Sequence, residues 1–151
     1  MQYQSTRDHA LVVSSSEAIL RGLTPDGGLF VPVSFPQADL EAWRSLDYPA
    51  LAAAVLQLYL TDYDPAFLRT AAREAYGAAF GGKAGQTVQV APGLAALELW
   101  HGPTCAFKDY ALQLMPRLLV QAKKNLGRSE TTPILVATSG DTGKAALAGY
   151  A

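Results

Sequence analysis

Apolar residues over the first half of the chain recur at the three- and four-residue spacing of helices that bury one face. The pattern runs from Asp39 to Leu60, where Pro49 interrupts it, and resumes from Asp64-Pro65 to about Phe80. Proline suits the first turn of a helix, because its missing N–H group would be unsatisfied there in any case. The sequence therefore predicts helices that begin near Pro49 and Pro65.

A shorter helix and a strand are predicted upstream. Ser14 and Glu17 form the capping-box pattern, so a helix is expected from about Ser16 to Arg21. Gly22 stands where a left-handed C-cap would end that helix. A turn signal then leads into a short apolar strand at residues 29–31.

The pattern changes after the glycine-rich connector Gly81–Gly85, which is taken as a domain boundary. Short extended segments are predicted beyond it at 88–90 and 94–99, followed by a helix at 110–125. A strand at 133–137 then leads to a second helix at 144–151. The apolar run Pro133–Ala137 is typical of a buried parallel strand. The predicted fold class is therefore α/β. Residues 1–85 are predicted to form a mainly helical domain, and residues 86–151 the beginning of a parallel-sheet domain. This second domain is expected to be incomplete, because one strand–helix unit cannot close a parallel sheet.

Composition narrows the function classes. Hydrophobic residues make up 50% and charged residues 17%, so a packed core is expected and disorder is not. A net charge of -1 argues against nucleic acid as a partner. Cys105 is the single cysteine and there are two histidines, so neither a disulfide nor a metal site is expected. No signal peptide or apolar run of about 18 residues is present, which argues against a membrane partner and favours a cytoplasmic location.

The loop Ser139–Gly143 has the features of an anion site. A strand that delivers small residues to a helix N-terminus leaves backbone N–H groups free, and the helix dipole adds positive potential. The ordinary alternative is a strand-to-helix turn in which Ser139 or Asp141 caps the helix. Both interpretations stay open on spacing alone.

Two catalytic motifs can be compared with the same loop. A nucleotide-binding P-loop would need glycine at Thr138 and a hydroxyl residue at Ala145, so that interpretation fails. Asp141-Thr-Gly143 also matches the signature of aspartic proteases, in which two such loops pair their carboxylates. Because residues 144–148 strongly prefer helix, half of a retropepsin-like protease that uses Asp141 is kept as the weaker alternative.

A second candidate constellation surrounds Lys108. The lysine follows Phe107 and precedes the predicted helix, so a positive helix end and burial against the ring both favour the neutral amine that attacks aldehydes. Asp109 would favour the charged form instead. Without further information, an ordinary exposed lysine is the commoner case.

Taken together, these motifs resemble threonine synthase, a member of the tryptophan-synthase-β-like (fold type II) pyridoxal phosphate enzymes. Four groups of segments carry the resemblance, in the same order and at the same spacing as in the family, at 3–7, 18–32, 101–109 and 137–143. The resemblance implies conversion of O-phospho-L-homoserine and water to L-threonine and phosphate, with pyridoxal phosphate as the cofactor. It also implies that the chain is the N-terminal part of a longer carbon–oxygen lyase.

The resemblance assigns roles residue by residue. Lys108 is the lysine that bonds to the cofactor's aldehyde and then shuttles protons, with Phe107 beside it. The substrate carboxylate is assigned to Ser139, Gly140, Asp141 and Thr142, of which Asp141 also borders the cofactor. Arg7 is a candidate for the leaving phosphate.

The sequence departs from the family at Asp8, where glycine is usual, and at Cys105, where leucine is frequent. The family's glycine-rich cradle for the cofactor phosphate also has no counterpart in residues 1–151. These residues alone are therefore expected to bind the cofactor weakly and to be inactive. A non-catalytic folding or interaction module, self-associating through an open apolar surface, is the alternative from another class.

Overall fold

The computed structural model describes all 151 residues. A small antiparallel sheet at the N-terminus has the strand order β2-β1-β3. Its strands are β1 (Gln2–Ser5), β2 (Val12–Ser14) and β3 (Phe30–Pro32), with Gln2 opposite Ser14 and Ser5 opposite Phe30. The predicted strand near residues 29–31 is therefore confirmed, and it lies against the first residues of the chain.

Helix α1 (Ser15–Arg21) begins and ends as the sequence predicts. The hydroxyl of Ser14 accepts a hydrogen bond from the backbone N–H of Glu17 at 3.2 Å, and Gly22 has a φ of +70°. The second half of the capping box does not form, because the Glu17 carboxylate accepts from Arg21 Nε at 2.6 Å. A helical neighbour four residues away thus replaces the reciprocal contact with Ser14.

Three further helices follow, at α2 (Leu40–Trp43), α3 (Tyr48–Tyr59) and α4 (Pro65–Tyr76). Each is preceded by an aspartate whose side chain accepts a backbone N–H from the first turn, at Asp39, Asp47 and Asp64. The predicted starts near Pro49 and Pro65 are confirmed. Helix α4 ends before Phe80 because Gly77 interrupts it, and residues 78–80 form a short 3₁₀ turn.

The second half contains a hairpin of β4 (Thr87–Ala91) and β5 (Leu94–Leu97), followed by α5 (Asp109–Leu112), α6 (Met115–Asn125) and α7 (Asp141–Tyr150). The single helix predicted over 110–125 is divided into α5 and α6. Pro116 has no N–H group to donate to the carbonyl of Leu112, so the regular bonding pattern cannot cross this point.

The main hydrophobic core joins the two halves of the chain. Its members come from α3, α4 and α6 and the turns beside them, with twelve buried residues: Ala53, Leu60, Tyr63, Leu68, Ala71, Ala72, Ala75, Tyr76, Phe80, Leu114, Leu118 and Ala122. Helix α6 also contacts α1. The domain boundary near Gly85 stays a prediction, and the packing of α6 continues across it.

One predicted element does not form. Residues 133–137 are not paired as a strand, and the side chain of Leu135 is 94% exposed. A parallel strand is stabilised by hydrogen bonds to a neighbouring strand, and none of the five strands pairs with this segment. The α/β class is confirmed, with both sheets antiparallel. None of the helices combines the length and the apolar character that crossing a membrane would need.

Candidate active site

The segment that carries Lys108 is a compact loop between β5 and α5. The loop is held by Asp109, the first residue of α5, whose side chain is completely buried. One carboxylate oxygen accepts the backbone N–H of Thr104 at 2.9 Å, and the other accepts the Thr104 hydroxyl at 2.7 Å. Two hydrogen bonds to one buried charge fix the loop against the start of α5.

Gly102 closes the other side of this loop. A Cβ atom added there would lie 2.4 Å from Asp109 Oδ2 and 2.5 Å from its Cβ, so only glycine allows the close approach. The Gly102 carbonyl also accepts the N–H of Cys105 at 3.1 Å, and Cys105 has a positive φ of 59°. Cys105, where the sequence predicted a departure from the family, therefore lies in a turn with left-handed backbone geometry.

Lys108 is the N-cap residue of α5 and is partly buried. Its Nζ atom lies 4.5 Å from the centroid of the Phe107 ring, and that ring is 60% exposed. No hydrogen bond or ion pair occupies the amine, and the Asp109 carboxylate is directed to Thr104 instead. The positive helix end expected from the sequence is small, because α5 has only 4 residues.

A buried pair that the sequence did not reveal precedes the loop. Glu98 Oε2 lies 2.6 Å from His101 Nε2, and the two side chains are only 17% and 15% exposed. The Tyr110 hydroxyl donates to the Glu98 carbonyl at 3.5 Å and accepts the N–H of Gly85 at 2.9 Å. Two residues three positions apart in a strand-to-loop segment are not expected to be in contact. The pair could therefore be recognised only from the folded loop.

The loop over residues 138–143 begins α7. The Thr138 hydroxyl accepts the N–H groups of both Gly140 and Gly143 at 3.1 Å. Neither Ser139 nor Asp141 caps the helix, so that expectation is wrong; Gly140, with a φ of +144°, turns the chain so that Thr138 reaches the helix start instead. No role was predicted for Thr138, because the two residues considered as caps, Ser139 and Asp141, follow it in the chain.

The same loop leaves polar groups free. The backbone N–H groups of Asp141 and Thr142 have no acceptor within the protein, and Ser139, Gly140 and Asp141 are exposed. Free donors at the N-terminus of a ten-residue helix favour an anion. The arrangement can bind an anion, which is one of the two interpretations that the spacing left open; the substrate carboxylate stays a prediction from the resemblance.

The helices that follow the two candidate motifs pack against each other. Helix α7 contacts both α5 and α6. The contact is close at Gly149, where an added Cβ would lie 1.9 Å from the carbonyl oxygen of Leu112. The loop of residues 139–142 is thus carried by a helix that packs on the helix of Lys108.

Arg7 is engaged elsewhere. Its Nη1 atom donates to the Asp26 carbonyl at 2.6 Å, within the turn that precedes β3. A hydrogen bond from Thr24 and, to a smaller extent, the N–H of Gly28 and the charge of Arg7 hold the pKa of Asp26 below its ordinary value. No hydrogen bond or ion pair connects Arg7 to Lys108 or to the 139–142 loop.

Comparison with known proteins points to one family. Residues 2–76 match the family model described as threonine synthase N terminus. The chain is 41% identical to threonine synthase of Pseudomonas aeruginosa over 155 residues, covering 99% of this chain and 32% of that protein. The crystal structure of threonine synthase from Brucella melitensis with pyridoxal phosphate bound superposes with a TM-score of 0.90 at 40% identity, covering 99% of this chain and 33% of that one.

The crystal structure of yeast threonine synthase gives a TM-score of 0.83 at 38% identity, over 99% of this chain and 33% of that one. The chain therefore spans about a third of the length of these relatives.

Proposed function

Since this chain belongs to the threonine synthase family, we propose that it supplies the N-terminal third of an enzyme that converts O-phospho-L-homoserine and water to L-threonine and phosphate. The single observation that carries the proposal is the state of Lys108. Its amine has no carboxylate partner, although Asp109 is the next residue, and it lies against an exposed aromatic face.

The residues present fit pyridoxal phosphate as the cofactor. An amine without an ion pair can attack an aldehyde more readily than one held by a carboxylate, because the neutral form is the nucleophile. The exposed ring of Phe107 offers an apolar surface beside that amine. When bound, pyridoxal phosphate supplies an electron sink for bond breaking at the substrate's carbon atoms.

The remaining roles belong to this chain's own groups. Lys108 holds the cofactor by its aldehyde and, once released, moves protons at the substrate's carbon atoms. The free N–H groups of Asp141 and Thr142, with Ser139 and Gly140, bind the substrate's α-carboxylate. Arg7 stays a prediction for the leaving phosphate. A cytoplasmic location belongs to the same proposal.

The chain alone is proposed to bind the cofactor weakly. No glycine turn among these residues follows a strand and opens a helix in the manner of the family's phosphate cradle, and Gly81–Gly85 lies in a connector. Exposed apolar side chains at Ile134, Leu135, Val136 and Leu147 also support the second candidate, an open surface for docking or self-association. Association that increases with chain concentration would favour that role.

A chimeric enzyme tests the proposal. Residues 1–151 would replace the corresponding third of the Pseudomonas aeruginosa threonine synthase, and threonine formation from O-phospho-L-homoserine would be measured. We expect an active chimera whose turnover falls to background on Lys108→Ala. Lys83→Ala, in the exposed connector, is the matched control and should retain activity. A folded chimera without activity, or an active Lys108→Ala variant, would contradict the proposal.

A further inference from the structure

A largely buried, hydrogen-bonded pair of side chains lies where the hairpin leads into the Lys108 loop. We propose that Glu98 and His101 form a positioning pair that holds Lys108 in place for reaction with the cofactor. The inference rests on the proposed function and extends it to two residues that make no hydrogen bond or ion pair with the Lys108 amine. The observation behind it is the 2.6 Å contact between Glu98 Oε2 and His101 Nε2, with both side chains largely buried.

Glu98 is itself fixed to the fold. Its backbone N–H donates to the carbonyl of Gln86 at 2.9 Å, which closes the end of the hairpin. Its carbonyl accepts the hydroxyl of Tyr110, and the ring of Tyr110 packs against Phe80 with a centroid separation of 4.9 Å. The glutamate is therefore a stationary anchor that joins the hairpin to the aromatic part of the core.

His101 connects the fixed Glu98 to the Lys108 loop. The next residue is Gly102, which lies against the Asp109 side chain with no room for a Cβ atom. Asp109 in turn holds Thr104 by two hydrogen bonds and is the residue after Lys108. The loop is thus held at two points, by the hydrogen bond of His101 to Glu98 and by the hydrogen bonds of Asp109 to Thr104. Lys108 is the residue before the second of these points.

An exposed ion pair commonly contributes little, because water screens the charges and two side chains must be ordered. The pair at Glu98 and His101 is mostly shielded, and removal of one member would leave a buried polar group without its partner. The start of the loop would then shift so that the unpartnered side chain can form a hydrogen bond with water. Gly102 would no longer pack closely against Asp109. Lys108 would retain its chemistry but lose its fixed location.

The test is selective labelling of lysines in the 151-residue chain. The protein is treated with pyridoxal phosphate and borohydride, and the initial rate of attachment at each lysine is measured by peptide mass spectrometry. Lys144 is exposed and serves as the internal reference. In the unsubstituted chain Lys108 should react faster than Lys144, because its amine is already held free of carboxylates against the Phe107 ring.

We expect His101→Ala to lower the ratio of the Lys108 rate to the Lys144 rate by about tenfold, since a small misplacement of a reacting group is costly. His101→Gln should recover most of the ratio, because its amide can still donate to Glu98. Tyr63→Phe removes a buried hydrogen bond to the Leu118 carbonyl far along the chain from the loop, and it should lower stability without changing the ratio.

Three results would overturn the positioning role. The first is an unsubstituted chain in which Lys108 reacts no faster than Lys144. The second is a His101→Ala variant that keeps the full ratio, and the third is a Tyr63→Phe variant that loses the ratio to the same extent as His101→Ala. The proposed function fails separately, through a chimera that folds but forms no threonine, so the two failures are distinguishable.

Discussion

The buried carboxylate of Asp109 offers a direct measure of how firmly the Lys108 loop is closed. Asp109→Asn keeps the size of the side chain but removes its charge. Both hydrogen bonds from Thr104, at 2.9 Å and 2.7 Å, then change from charge-assisted to neutral. A hydrogen bond to a charged group contributes about 1.5–3 kcal/mol and a neutral one about 1 kcal/mol.

Two such bonds give an expected loss of about 2 kcal/mol in the free energy of unfolding, after the asparagine amide has reoriented to keep both contacts. For a chain of this size, that corresponds to a lower melting temperature by about 4–8 °C. The assay is urea denaturation followed by circular dichroism at pH 7, with the melting temperature as an independent check.

A double-mutant cycle makes the reasoning specific to the contact. Thr104→Val removes the hydroxyl but leaves the backbone N–H in place, so it should cost about 1–2 kcal/mol alone. The double variant should lose about 1 kcal/mol less in the free energy of unfolding than the sum of the two single losses. The reason is that both single substitutions affect the same hydrogen bond. An Asp109→Asn variant as stable as the unsubstituted chain, or strictly additive losses, would refute this account of the loop.

Three further predictions concern the framework around the site. Burial alone would raise the pKa of Asp62, but hydrogen bonds from Ser16, including its N–H at 2.9 Å, hold that pKa below its ordinary value of 3.8. Asp62 therefore stabilises the fold above about pH 4, and the free energy of unfolding should fall more steeply from pH 5 to pH 3 in the unsubstituted chain than in Asp62→Asn. Burial raises the pKa of Tyr63 from 10.0 to about 12, so stability should be lost between those values in alkaline denaturation, and less so in Tyr63→Phe. Gly149→Ala should destabilise the chain by about 2 kcal/mol in urea, because overpacking against the Leu112 carbonyl outweighs the gain of about 1 kcal/mol in helix propensity.

Each of these has a clear contrary outcome. Parallel acid profiles for the unsubstituted chain and Asp62→Asn would show that the carboxylate is not held by Ser16 in solution. Identical alkaline profiles for Tyr63→Phe would mean that the phenol is not protected by burial. A stabilised Gly149→Ala variant would show that helix propensity dominates and that α7 does not press on Leu112.

Local chemistry made part of the fold predictable from the sequence. The cap at Ser14 and the helix starts near Pro49 and Pro65 depend on residues a few positions apart, and all three formed as predicted. The run at 133–137 has the composition of a buried strand but no neighbouring strand among the 151 residues. A strand needs a neighbouring strand to pair with, and local periodicity does not report whether one is present.

The candidate site divides in the same way. The sequence predicted roles for Lys108 and the 139–142 loop through motif and resemblance, and these roles stay predictions. It did not identify the contact of Glu98 with His101 or the capping by Thr138, because both follow from how the loops close in three dimensions. It assigned Asp109 an influence on Lys108, whereas the fold directs that carboxylate to Thr104.

The central claim is that Lys108 of this chain is the residue that binds pyridoxal phosphate covalently. The most direct measurement uses the chimera with the Pseudomonas aeruginosa enzyme, reduced with borohydride after cofactor addition and digested for peptide mass spectrometry. We expect to find the pyridoxyl group on Lys108, and we expect its addition to abolish threonine formation. A pyridoxyl group on any other lysine of an active chimera would contradict it.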